Sequence, residues 1–326
     1  TQGFRRGLKQ SEGALSKFRR TASSVGAGVA KGLAVGAAGV AAVGTAIGLS
    51  VKSFAEFESG MLRVQAVTGA TGSEFLALTE QAKQLGATTA FSAKQAAEGM
   101  GFLGQAGFNA TEIQAAMGSV LNLAAAGALE LADAADITAS VLRGFGMNAT
   151  EATKVTDVLA KAAASSNTSV QEMGEGFKFV GPVASAMGLS IEETAAALSV
   201  LSDAGLKGSL AGTGLRQALV KMGPDIIRSG GLLPALKKLD SEGVRAVTAA
   251  MDSLGARAGT AAIALANNTA RAEELEQTYK NSGGAAQEMA DTLMSGVTGA
   301  GLQVVSAFEA VRNNVGEAFG EASIGF

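Results

Sequence analysis

The chain has 326 residues, of which 47% are hydrophobic but only 5% aromatic and 17% charged, so its apolar character comes mainly from small side chains. It contains no histidine and no cysteine, which excludes imidazole and thiol catalysis, disulfides and the metal sites that need those ligands. The formal net charge is −3. We therefore expect a protein that is not an enzyme and that binds no cofactor or metal.

The first segment, residues 1–24, is a basic tail. Its first twenty residues carry six Lys and Arg side chains against a single Glu. Such a tail could contact a phosphate backbone or anionic lipid. The interpretation that we favour is a solvated leader.

Residues 25–67 are predicted to form a long apolar helix rich in Gly and Ala. Its uncharged stretch over 32–51 is long enough to span a bilayer. Glycine at every fourth position also lets helices approach backbone to backbone. Two interpretations stay open, a helix packed within an oligomer, which we favour, and a membrane-active segment over 25–51. The glycines predicted to mediate helix packing are Gly28, Gly32, Gly36, Gly44 and Gly48.

A short motif recurs three times in the next segment, residues 68–225. Each copy has a glycine, then Asn or Ser two residues later, then Glu three residues beyond. The glycine suits the left-handed end of one helix, and the Asn or Ser with its Glu forms a capping box that starts the next. The repetition predicts an imperfect array of helical hairpins. The cap and turn residues are Gly107, Asn109, Glu112, Gly146, Asn148, Glu151, Gly188, Ser190 and Glu193.

Four closely spaced glycines follow and predict a flexible turn that enters an amphipathic helix. A phosphate cradle would need a preceding strand, which the pattern lacks. These glycines are Gly205, Gly208, Gly212 and Gly214. Residues 226–282 are predicted to be a mixed helical region with turns, and residues 283–326 a long trailing helix that we expect to continue beyond the given sequence.

No run of residues alternates as a strand would. The predicted fold class is therefore all-α, with short helices in an imperfect helical-hairpin array. A long Gly/Ala-rich apolar helix precedes the array and a further long helix follows it. We expect a compact core over about 70–225 and a rod-like state for about 25–65.

Several stretches resemble the core region of phage tail tape measure proteins. They are Phe54-Ala-Glu-Phe-Glu-Ser-Gly-Met61, Ala66-Val-Thr-Gly-Ala-Thr71, Leu85-Gly-Ala-Thr-Thr-Ala-Phe-Ser-Ala93 and the glycine-rich stretch from Gly205 to Arg216. The resemblance covers about 54–320. It implies a structural component of a phage tail that lies in the lumen of the tail tube, sets tail length and assists ejection of the genome into the host cell.

The resemblance also implies where the protein acts and what it contacts. The expected location is the virion, with the host cytoplasm during assembly. The expected partners are further copies of the chain, a trimer being favoured over a hexamer, the tail tube protein, and the proteins of the tail tip or baseplate hub. The end of the genomic DNA and the host inner membrane are further candidates.

Two other functional classes are weighed against this one. The main alternative is a membrane-perturbing or pore-forming protein that acts through residues 25–51. An enzyme that cleaves peptidoglycan would need two opposed carboxylates. The pairs Glu192-Glu193 and Glu273-Glu274 are adjacent in sequence, so on a helix they point in different directions.

Overall fold

The computed structural model describes residues 37–241, 252, 254–295 and 297–324. In this part of the chain there are fourteen α-helices with defined first and last residues, one short 3-10 helix and no strand. The predicted all-α class is confirmed. The basic tail over 1–24 lies outside the described residues, as do Gly28, Gly32 and Gly36.

Most of the helices are short, and the first, the ninth and the last are longer. Their bounds are α1 (Ala37–Thr68), α2 (Ser73–Thr88), α3 (Ala93–Gln105), α4 (Ala110–Gly127), α5 (Leu131–Phe145), α6 (Ala152–Ser165), α7 (Val170–Ala186), α8 (Ile191–Asp203), α9 (Gly208–Ser229), α10 (Leu232–Ser241), α11 (Ala256–Ala266), α12 (Thr269–Lys280), α13 (Ala285–Met294) and α14 (Val297–Ile324), with the 3-10 turn Ala149–Glu151 before α6.

The chain divides into two compact units. Among the described residues, the first unit holds 37–66, 71–98 and those from 300 onward, and the second holds 67–70 and those within 99–299. Residues 71–98, which the sequence pattern assigns to the repeat core, therefore group with most of α1 and α14. The units do not follow the segment boundaries predicted from the sequence.

In the second unit, alternate helices are neighbours. Helix α7 packs between α5 and α9, and α9 packs in turn against α11. A second row contains α4, α6, α8 and α12, and α13 lies against α4 and α6. Each hairpin thus adds one helix to each row, which is how repeated helical hairpins bury a continuous core.

Side-chain caps at Asn109, Asn148, Ser169 and Ser190 start four helices of this array. The Asn109 Oδ1 accepts a hydrogen bond from the Glu112 N–H at 3.0 Å, and the Glu112 Oε2 accepts one from the Asn109 N–H at 2.8 Å. The Ser190 Oγ accepts from the N–H of Glu193 at 3.0 Å. Before α6, the Asn148 N–H donates to the Glu151 carboxylate at 2.9 Å. Each of these bonds satisfies a backbone donor that the first helical turn would leave unpaired.

Three glycines close the helices that precede these caps. Gly107, Gly146 and Gly188 have φ values of +88°, +64° and +78°. A side chain with a Cβ is disfavoured in this left-handed region, whereas glycine is not. The chain can therefore reverse within two residues and bring the next helix back along the previous one.

Glycine also sets the distance between α7 and α9. A Cβ atom on Gly212 would lie 2.3 Å from the Gly176 carbonyl oxygen, so the two backbones touch. In the neighbouring α5–α7 interface, a Cβ on Gly144 would lie 3.6 Å from the Gly181 Cα. The α7–α9 interface is therefore packed at backbone distance, which only the smallest residues allow, whereas the spacing at Gly144 is an ordinary van der Waals contact.

The predicted flexible turn over the four glycines is wrong beyond Lys207. Gly205 ends the turn region with a φ of +88°, but Gly208 is the first residue of α9, and Gly212 and Gly214 lie inside it. Contact with α7 and α11 explains the difference, because a Cβ on Gly214 would meet the Ala261 side chain at 3.2 Å. These glycines serve close packing rather than flexibility.

In the first unit, α14 packs against α1. The Ser53 Oγ donates to the Asn313 Oδ1 at 2.5 Å, and a Cβ on Gly316 would lie 2.3 Å from the Ser50 carbonyl oxygen. The Lys83 ammonium of α2 bonds both carboxylate oxygens of Glu317 at 2.8 Å. In its described part, α1 is therefore a long helix that packs against α14, and the rod-like state for about 25–65 stays a prediction.

The single trailing helix predicted over 283–326 is also wrong. Helix α13 ends at Met294 and α14 begins at Val297. Ser295 caps α13, its N–H donating to the Asp291 carbonyl oxygen at 2.9 Å.

Replacing Gly212 with alanine should destabilise the second unit. The new methyl group would overlap the Gly176 carbonyl, and overpacking of this kind costs about 1–3 kcal/mol. The matched control is Gly118→Ala on the exposed side of α4, where nothing lies within 4 Å. Alanine there should stabilise the helix by up to about 1 kcal/mol. Chemical denaturation measures both effects, and equal effects of the two substitutions would contradict the packing argument.

Candidate functional site

The glycines predicted to mediate helix packing cannot all be placed. Gly44 and Gly48 lie within α1, whereas the other three precede the described residues. Their role in packing against other copies stays a prediction. The predicted cap and turn residues lie at helix junctions of the second unit, as described above.

Few side chains in the described part of the chain are arranged for catalysis or metal binding. No group of three or more acidic side chains in that part of the chain is placed to hold a metal ion. Of the adjacent carboxylates noted in the sequence, Glu192 is buried and pairs with the Lys154 ammonium at 2.8 Å. Glu274 pairs with Arg271 at 3.0 Å on the surface. Both carboxylates therefore have structural partners.

The structure brings together a different carboxylate pair, Glu193 and Glu276. Burial raises the pKa of the Glu193 carboxyl, and the charge of Glu276 raises this pKa further. Both residues line a cavity of about 10 Å³ that leucines close. Such a space holds about one water molecule, so a sugar ring cannot enter between them.

A buried carboxylate on α6 joins two distant parts of the second unit. The Asp157 side chain is 3% exposed. Its Oδ2 accepts from the Gly284 N–H at 2.8 Å, and its Oδ1 accepts from the Ala286 N–H at 2.9 Å. Asp157 thus caps the start of α13, where the helix dipole also favours a negative charge. We call this contact the Asp157 anchor.

A second long-range contact holds α12 on the array. Tyr279 is the only tyrosine of the chain, and its side chain is 1% exposed. Its hydroxyl lies 2.8 Å from the Ser199 Oγ of α8. Burial raises the pKa of the Tyr279 phenol. On the same helix, the Arg271 Nη2 donates to the Ser165 carbonyl oxygen at 2.8 Å.

Sequence reasoning missed both contacts, because the partners lie far apart in the chain. Asp157 and Ala286 are separated by 129 residues. No local signal marked Asp157, because its helical neighbours three and four residues away are Thr153, Lys154, Ala160 and Lys161, which do not form an apolar face.

Membrane-spanning potential can be judged only for the described helices. Of these, no single helix combines the length and the apolar composition needed to cross a bilayer, and only α4 and α5, bent by 117° at their junction, meet the criteria as a pair. Both contribute buried residues to the second unit.

Comparison with known proteins gives the family. The model of the family described as phage-related minor tail protein matches residues 79–256, more than half of the chain. The match begins in α2 and reaches the start of α11. The chain belongs to this family.

Two curated relatives of this minor tail protein extend the comparison. The chain is 37% identical over 288 residues, 80% of its length, to the "Tape measure protein" of Pneumococcus phage Dp-1. It is 35% identical over 219 residues, 64% of its length, to the "Probable tape measure protein" of Escherichia phage P2. These alignments cover 25% and 26% of the relatives, so the chain spans about a quarter of their length. No solved structure matches it significantly.

Removing the Asp157 anchor should loosen α13 specifically. Asp157→Ala leaves two N–H groups without their acceptor, and each unsatisfied buried group costs about 1–3 kcal/mol. Hydrogen exchange should then accelerate in α13 more than in α7 or α9. The control is Asp136→Ala, which removes an exposed ion pair with Lys178 and should cost at most about 1 kcal/mol. Uniform acceleration across the unit would contradict a local anchor.

The raised pKa of Glu193 predicts a pH-dependent effect of Glu193→Gln. In the folded chain the carboxyl holds its proton to a higher pH than its ordinary value of 4.5, so its ionisation opposes folding. The variant should therefore melt at a higher temperature than the parent at pH 7. The difference should shrink as the pH falls towards 4, where Glu193 is protonated in both states.

Thermal melts monitored by circular dichroism between pH 4 and 7 give this comparison. Glu274→Gln, at a carboxylate that is 65% exposed, is the control and should change the melting temperature much less. A variant that melts below the parent at pH 7 would show that the Glu193 charge supports the fold instead.

Proposed function

We propose that this chain works as the core region of a phage tail tape measure protein. The observation that carries the proposal is the 37% identity to a tape measure protein over 80% of the chain. On this proposal, the chain is a structural component of the virion in the lumen of the tail tube. The protein sets the length of the tail and assists ejection of the genome.

The composition of the fold supports a mechanical role. Helices that pack through glycine contacts occupy little width, and the chain contains no Trp and one Tyr. Large aromatic side chains dominate the energetics of most cores and interfaces. Few of them are buried among the described residues, namely Phe57, Phe108, Phe177 and Tyr279, so the core is held mainly by many modest contacts, which suits a component that must later leave the tube.

The described site chemistry supports a role without catalysis. Glu193 and Glu276 line a cavity of only about 10 Å³, and the buried carboxylate of the Asp157 anchor accepts hydrogen bonds from two backbone N–H groups. The names of the relatives do not support the alternative of a membrane-perturbing protein that acts through residues 25–51. We therefore infer a non-enzymatic protein.

The partners follow from the proposed location. The chain would contact further copies of itself, with a trimer favoured over a hexamer, the tail tube protein, and the proteins of the tail tip or baseplate hub. During ejection it would meet the end of the genomic DNA and the host inner membrane. Assembly would take place in the host cytoplasm.

A deletion of one repeat tests how this region contributes to tail length. Removing residues 108–146, in a phage whose tape measure protein carries this region, joins Gly107 to Met147 and removes one repeat of 39 residues (146 − 107 = 39). A continuous helix of that size would shorten the tail by about 58 Å, at 1.5 Å per residue. A compact hairpin removed from a stack should shorten it by at most about 10 Å, one interhelical distance.

The control is a deletion of equal size in the same protein, outside the region that corresponds to this chain. This control deletion should shorten the tail by about 58 Å, as expected for a continuous helix. Electron microscopy measures the tail lengths. A shortening of about 58 Å for both deletions would contradict a compact core in the assembled tail. Unchanged tail lengths in both phages would contradict the tape measure function itself.

A further inference from the structure

Helix α9 exposes a row of large apolar side chains. Leu210, Val220 and Ile227 are 62%, 60% and 79% exposed. With Thr213, Gln217 and Pro224 they follow the alternating spacing of three and four residues that defines one face of a helix in a coiled coil. We call these six residues the α9 stripe. It extends over about 26 Å, since each residue adds about 1.5 Å.

One end of the α9 stripe continues into an open cleft of about 330 Å³ between α7, α9 and α11. Leu210 and Thr213 line this cleft together with Phe179 and Leu206. Phe179 is 40% exposed, so its ring is accessible from the cleft. The apolar surface therefore consists of a cleft at one end and a row of protruding side chains along the helix.

Positive charges flank this apolar surface. Arg216 lies on one side of the α9 stripe, and Lys221 and Arg228 lie on the other. Arg257 lines the cleft. The one acidic residue of α9, Asp225, pairs with Arg228 at 2.5 Å. This surface is thus locally basic on a chain whose net charge is −3.

We infer that the α9 stripe and its cleft dock an amphipathic helix of another protein, whose apolar residues recur at heptad spacing between rows of carboxylates. Apolar side chains of that helix pack along the stripe, and one at its end enters the cleft. Its carboxylates face the flanking cations, as charges beside a coiled-coil seam do.

The shape of the surface favours a helix over a lipid bilayer. Two polar residues, Thr213 and Gln217, separate Leu210 from Val220 and Ile227, so the exposed apolar band is interrupted. A flat membrane also cannot fill the cleft beside Phe179. A partner helix meets both conditions, because its own side chains interdigitate with the stripe.

Two synthetic peptides test this inference against the full 326-residue chain. Both carry leucine at the two apolar heptad positions, and they differ only in having Glu or Lys at the flanking positions. Fluorescence anisotropy should show that the Glu peptide binds at least tenfold more tightly than the Lys peptide at low salt. Added salt should reduce this preference, because it screens exposed charges. Anionic phosphatidylserine vesicles form a third arm.

Variants of the chain identify the surface. Val220→Glu combined with Ile227→Glu should weaken binding of the Glu peptide at least tenfold. The control Leu293→Glu, at an apolar residue of α13 that is 49% exposed, should leave it unchanged. Arg216→Glu combined with Arg257→Glu should reverse the preference towards the Lys peptide, which a merely misfolded chain would not do.

Three outcomes of the binding experiment would overturn the inference. They are binding of neither peptide, equal binding of both peptides at low salt, and binding of the vesicles without binding of the Glu peptide. Equal losses in the stripe variant and the Leu293 control would also overturn it, since the peptide would then bind elsewhere. The peptide arms do not depend on tail assembly, so their failure would leave the tape measure proposal standing.

Discussion

The fold depends on the close approach of helix backbones at glycine. In the second unit, Gly176 and Gly212 bring α7 and α9 into direct contact, and a Cβ at Gly212 would lie 2.3 Å from a carbonyl oxygen. Small residues bury little area each, so the chain gains its packing from short distances rather than large side chains. The glycine contact between α7 and α9 therefore sets the distance between the two central helices of the row.

Two long-range contacts, the Asp157 anchor and the Tyr279 hydrogen bond, hold α13 and α12 against the second row of helices. Asp157 fixes the start of α13, and the Tyr279 hydroxyl bonds to Ser199 of α8. Both contacts are hydrogen bonds between buried polar groups. A buried polar group without such a partner costs free energy, so each bond requires its two helices to meet at these residues.

The sequence predicted the local features better than the distant ones. The repeated Gly–Asn–Glu motif marked helix ends because a cap is formed by residues three positions apart, as at Asn109 and Glu112. The helical position of Gly212 was not predictable in this way. Glycine is needed there because the backbone of α7 lies too close for a side chain. The Asp157 anchor spans 129 residues, and nothing near Asp157 in the chain identifies Ala286 as its partner.

Native-state hydrogen exchange of the 326-residue chain tests the central claim most directly. If backbone contact between α7 and α9 holds the core, the amides around Gly176 and Gly212 should be among the slowest to exchange. Their opening free energies should also match each other and the global free energy of unfolding. Amides of α9 that exchange at a markedly lower free energy than those of α7 would contradict the account.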